Sequence, residues 1–179
     1  MARFKRRVAA RLPEGIKEIP TTRAAQLFRW NRALIVLHGI QALIIVLISP
    51  TEAKVNFEGS YPVAKIVDGV FAGLTTGTKE LFGVPLAYVV AAFFGLSALA
   101  HYLVAFPLRA RYERWLAQSF NPMRWAEYAL SSTLMIVAIA SLTGIRDAGA
   151  MLAIAGCNAA MNLFGWSMEE ANIGRKAVQ

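Results

Sequence analysis

Three ionisable side chains stand within the apolar segments of the chain: His38, His101 and Glu127. An ionised group in hydrocarbon is costly, so residues of this kind are rare within apolar segments and usually mark a functional site. A carboxylate in such a place can balance a buried cation or pass a proton. Two imidazoles can relay protons or ligate a haem iron. Arg124 stands three residues before Glu127, on the same helical face. Asn158 and Asn162 lie one turn apart, and Ser97, Ser131 and Ser132 are small polar residues in the same apolar surroundings. Each also has an ordinary reading. His38 could bond a carbonyl between packed helices. His101 could sit at headgroup level beside Tyr102. Glu127 could form a structural salt bridge with Arg124. The asparagines could bridge helices, and the serines and glycines could allow close helix contact. The lone Cys157 reads as a small packing residue and excludes an internal disulfide.

These residues need elements to hold them. The windows 33–51, 81–108, 128–145 and 148–168 lack Lys, Arg, Asp and Glu. A helix needs about 20 apolar residues to cross about 30 Å of hydrocarbon. The windows are far too long for the 9–11 residues of a membrane strand, and they do not alternate polar with apolar. They read as four transmembrane helices, at about 33–50, 82–107, 122–144 and 147–168, in an all-α membrane protein. The chain of 179 residues is 56% hydrophobic and 17% charged, whereas a soluble domain has about a quarter of its residues charged. That excludes a disordered chain. A soluble four-helix bundle is the other architecture, but its helices would need polar faces.

The remaining segments follow. Residues 1–32 form a basic, partly helical arm at the membrane surface, too long and too charged for a cleaved signal. Residues 51–80 form a loop long enough to have structure of its own. In it Val55 and Phe57 alternate with polar residues, and Ala64–Val67 ends at Asp68-Gly69, a pattern compatible with a small hairpin. Asn121 and Pro122 make a helix start. Residues 171–179 are a tail. With four spans, fifteen of the nineteen Lys and Arg fall on the side of the termini. The positive-inside rule then places both termini in the cytoplasm of a multi-pass plasma-membrane protein. Topology accounts for the net charge of +8, so no nucleic-acid partner is implied; the partner implied is the lipid bilayer.

His38 lies five residues inside the first helix, His101 five before the inner end of the second, and Glu127 five after Pro122. At 1.5 Å per residue the three share one depth. Asn162 reaches a similar level on the fourth helix, with Asn158 one turn deeper. Two histidines and a glutamate at one depth point to a cluster.

Four segments resemble heliorhodopsins. They are Leu37-His38-Gly39-Ile40-Gln41, Gly95-Leu96-Ser97-Ala98-Leu99-Ala100-His101, Arg124-Trp125-Ala126-Glu127-Tyr128-Ala129-Leu130-Ser131-Ser132 and Asn158-Ala159-Ala160-Met161-Asn162-Leu163-Phe164-Gly165-Trp166. The resemblance runs from about Arg29 to Glu170, in the family's order. It implies a seven-helix light sensor that binds all-trans retinal, with its N-terminus in the cytoplasm. It implies Glu127 as the counterion of the protonated retinal Schiff base. His38, His101, Ser97, Ser132 and Arg124 would form the polar cluster nearby, and Tyr128, Met135 and Asn158 the retinal pocket. The 51–80 loop would be β-structured, extracellular and part of a homodimer contact. The family binds retinal through a lysine in its last helix. The lysines here are Lys5, Lys17, Lys54, Lys65, Lys79 and Lys176, none within a span. The chain is thus expected to match the N-terminal four helices of the family, to lack the covalent lysine, and to need the three C-terminal helices. A bis-histidine haem protein and a proton-relay subunit are the other functions the same residues allow. There is no hydrolase or phosphate-loop motif that would read as an enzyme.

Overall fold

The structure, a computed structural model, describes residues 19–173. In chain order these form α1 (Thr21–Ile48), β1 (Lys54–Val67), β2 (Val70–Pro85), α2 (Leu86–Ala105), α3 (Arg109–Ala117), α4 (Pro122–Leu142) and α5 (Ala148–Ala171). Among the described residues, α1, α2, α4 and α5 are long and apolar enough to cross a membrane. In a helix every backbone polar group inside the span is bonded within the segment, as hydrocarbon requires. The four stand in a row, α1 against α2, α2 against α4 and α4 against α5. Leu47, Leu142, Leu152 and Phe164 are among the exposed large apolar side chains. That is the normal condition of a lipid-facing surface.

Several boundaries differ from the sequence expectation, each for a local reason. The first helix starts at Thr21 rather than near residue 33. A charge-free window measures the hydrocarbon crossing, whereas Arg29 and Arg32 are good helix formers that extend the same helix past it. Twelve residues assigned to the basic arm are therefore helical, and residues 1–18 lie outside the described part. The second span starts at Leu86 instead of about 82. Pro85 precedes it with φ −52°, and the residues before it belong to a ladder. The connection 109–124 contains an additional helix, α3. The last helix continues to Ala171, into the expected tail, of which residues 174–179 lie outside the description.

The connection between α1 and α2 is a two-stranded antiparallel hairpin that extends beyond residue 80 to Pro85. Val67 pairs with Val70, so the turn is the two residues Asp68-Gly69, with φ of 51° and 79°. Positive φ at both positions defines a type I′ turn, whose twist matches the strands, and Asp-Gly is a favoured pair for it. Near the base Phe57 faces Phe82, their ring centroids 4.7 Å apart.

The base of the hairpin packs on the helices. Val55 and Met151 are each 1% exposed and form a core with Ala140, against which Phe57, Val89 and Ile145 pack. Polar contacts lock the same junction. Glu58 donates its backbone N–H to the carbonyl of Arg146 at 2.8 Å, and the Arg146 guanidinium lies 3.5 Å from the Glu58 carboxylate. Ser60 Oγ donates to Asp147 Oδ2 at 2.6 Å, while Asp147 Oδ1 accepts from the N–H of Ala150 and caps α5. The Ser60 hydroxyl first, and the Ala150 N–H second, hold the Asp147 carboxyl below its ordinary range. A depressed value means the contribution is complete at neutral pH and is lost only as pH falls through that lowered value.

Met151 tests this core. Met151→Ala is expected to lower unfolding stability in mixed micelles by about 2–5 kcal/mol, the range for emptying a packed site. Leu152→Ala, at a neighbour 75% exposed, should cost far less. Equal losses would mean that the hairpin base is not packed as described.

Candidate functional site

The half of the row nearer α3 contains a cavity of about 510 Å³ between α1, α2, α3 and α4. Its wall includes Asn31, His38, Ser97, His101, Arg124, Glu127, Tyr128, Ser131 and Ser132, with Phe93 and Tyr112. Helical spacing explains the convergence. Asn31 and His38 are two turns apart on α1, Ser97 and His101 one turn apart on α2, and Glu127 and Ser131 one turn apart on α4.

The polar groups partner one another across helices. Ser97 Oγ donates to Glu127 Oε1 at 2.7 Å, joining α2 to α4. His101 Nδ1 lies 2.8 Å from Asn31 Oδ1, joining α2 to α1. His38 Nδ1 lies 2.9 Å from Gln41 Oε1 within α1. A carbonyl oxygen only accepts, so each ring donates from Nδ1 and keeps Nε2 as an acceptor while neutral. The two imidazoles stack, with centroids 5.7 Å apart and planes 12° apart, and Phe94 stacks on His38. His38, His101 and Glu127, expected at one depth, therefore meet at one cavity. Tyr112 of α3 also lines it. Burial pushes its hydroxyl above the ordinary range, so it stays protonated at neutral pH.

Arg124 is placed differently from the simplest sequence reading. Its partner is Glu169 near the end of α5, not Glu127. The other Glu169 oxygen accepts the backbone N–H of Asn121 at 2.9 Å. One carboxylate thus holds both the arginine and the start of α4. Sequence spacing favoured Glu127 because it is three residues away. Only the packing of α4 on α5 brings Glu169 closer. Glu127 is left with Ser97 as its hydrogen-bond partner among the described residues.

A second polar set ties α4 to α5. Asn158 Nδ2 donates to Ser132 Oγ at 2.8 Å and to Thr133 Oγ1 at 3.0 Å, and Asn162 Nδ2 donates to Ser132 Oγ at 3.2 Å. The hydroxyls of Ser132 and Thr133 in turn donate to the carbonyls of Tyr128 and Ala129. Ser132 therefore belongs both to the cavity wall and to this bridge. Met135 and Asn158 are not in the cavity wall. They lie farther along α4 and α5.

Asn31, Gln41, Tyr112 and Glu169 were not singled out from sequence, and Asn121 was read only as the start of a helix, which its side chain caps by accepting the Arg124 N–H. Asn31 carried a signal, since it is seven residues before His38 and so on its face. It was masked by the surrounding Trp30 and Arg32. It is only 8% exposed.

The architecture and site define an α-helical multi-pass membrane protein with a carboxylate and two imidazoles gathered within its helices. Residues 27–179 match the heliorhodopsin family. The match covers most of the chain, which belongs to that family. Membership supports a rhodopsin-like light-sensing role at the level of the family. No curated protein sequence matches the chain.

The join between α4 and α5 is directly testable. A Cβ built on Gly165 overlaps the ring of Trp125, and the Arg124 guanidinium lies 4.7 Å from that ring's centroid. Gly165→Ala should cost about 1–3 kcal/mol through overpacking and shift Trp emission. Gly156→Ala, where nothing lies within 4 Å, should leave both unchanged. A silent Gly165→Ala would contradict the contact.

Proposed function

We propose that this chain supplies the counterion half of a retinal photosensor, with Glu127 as the negative charge. The observation that carries the reading is a carboxylate at a membrane-embedded cavity, held by the Ser97 hydroxyl and not neutralised by Arg124. A buried cation needs such a partner. Retinal bound through a lysine supplies a light-absorbing, positively charged linkage. The cavity lies within the about 300–1,000 Å³ of small-molecule sites, and its wall fits the charged end of that group. Ser97 orients the carboxylate, and His101 and Asn31 hold the neighbouring wall. Tyr128, Met135 and Asn158 run from the cavity toward the middle of α4 and α5, where an apolar chain would lie. No lysine is in the four spans, so the attachment point comes from further helices packed on this row. Arg124 lines the same cavity and is held by Glu169 of α5.

In this reading the N-terminus is cytoplasmic and the hairpin extracellular. The hairpin presents exposed Tyr61, Ile66, Phe71 and Leu74, which suits pairing with a second copy.

Two outcomes are expected. In a pigment assembled with heliorhodopsin C-terminal helices that carry the lysine, Glu127→Gln should move the absorption maximum to longer wavelength, because the charge stabilising the cationic ground state is removed. An unshifted spectrum would make Glu127 structural. Cysteines introduced at Ala64 and Ala110, both exposed, of a cysteine-free chain should label from opposite sides of intact cells, Ala64 from outside. Labelling of both from one side would reject the four-span topology.

A further inference from the structure

We propose that the end of the molecule bearing α3 is a docking surface for anionic phospholipid headgroups, built from Arg29 and Arg32 of α1 and Arg111 and Arg114 of α3. The level of this surface is set by packing. α1 has 28 residues and is about 42 Å long at 1.5 Å per residue, more than the about 30 Å of hydrocarbon. Its charge-free part starts at residue 33, so the excess length projects at the Thr21 end, into the headgroup layer. α3 is fastened to that same layer. The Arg109 guanidinium sits 4.3 Å from the centroid of the Phe28 ring, and Phe106 meets that ring edge-on at 5.9 Å. Arg109 also pairs with Glu113 at 2.9 Å. These contacts fix the face of α3 that carries Arg109 and Glu113 against α1. Arg111 and Arg114 lie on the other face and are exposed, as are Arg29 and Arg32.

Charge and aromatic content match the partner. Among the described residues at this end, seven arginines stand against three glutamates. Glu113 is engaged by Arg109 and Glu169 by Arg124, which leaves five exposed guanidiniums, those of Arg23, Arg29, Arg32, Arg111 and Arg114, against the exposed carboxylate of Glu170. A guanidinium fork matches phosphate geometry. Trp30 is 61% exposed on α1, and an indole at this level is the usual marker of the membrane–water interface. A basic segment beside a span attracts anionic lipid, and the attraction is screened by salt.

The test uses the full chain in nanodiscs with trace spin-labelled lipid, comparing immobilised phosphatidylglycerol with immobilised phosphatidylcholine. A several-fold preference for phosphatidylglycerol at low salt is expected, declining as salt is raised. Arg111→Gln with Arg114→Gln should remove most of it, and the corresponding lysine double substitution should retain much of it. Lys65→Gln with Lys79→Gln, at the hairpin end, should leave it unchanged. Unchanged helicity by circular dichroism confirms that each variant is folded. Equal immobilisation of the two lipids by the parent chain would overturn the proposal, as would a preference that survives the Arg111 and Arg114 substitutions. Loss of the preference on adding soluble glycerol phosphate would also overturn it, by assigning the surface to a free anion.

Discussion

Glu127 is a carboxylate within an apolar helix, and hydrocarbon offers it nothing to bond. Its surroundings must therefore be supplied by neighbouring helices, which constrains how α2 and α4 can meet. Ser97, only 6% exposed, brings its hydroxyl to the carboxylate at the contact between the two. A shift of either helix by one residue would turn one partner away by about 100°. The same logic fixes α1, through Asn31 and His101, and α5, through Asn158 and Ser132. Each contact in the row thus contains a polar pair whose members lie in different helices. Between lipid-like surfaces the hydrophobic effect does not choose a register, so close packing and such pairs do.

The two ends of the row are built by different means. At the hairpin end, apolar packing of Val55 and Met151 is combined with the Glu58, Ser60, Arg146 and Asp147 contacts. This gives the hairpin a firm seat on the helices. At the α3 end the structure is more polar and more aromatic. Phe28 is flanked by Arg32 and Arg109, and Glu169 joins Arg124 to the start of α4. The cavity lies just inside this polar end.

The composition and spacing of the chain determined a great deal. The charge-free windows set the four spans, because hydrocarbon thickness demands that length. The Asp-Gly pair set the hairpin turn, because two consecutive positive φ values favour those residues. His38, His101 and Glu127 could be placed at one depth by counting turns from helix ends. Helix ends near the interface were less legible, since α1 begins at Thr21, well before the charge-free window at residue 33, and α3 is too short to announce itself by hydropathy. Tertiary structure alone decided the partners. Arg124 has Glu127 near it in sequence and Glu169 near it in space. Asn31 is an undistinguished polar residue until α2 brings His101 to it. Sequence periodicity tells which face a side chain occupies, but the choice between two acceptable partners depends on how helices distant in sequence are rotated and offset against each other, and only their packing fixes that.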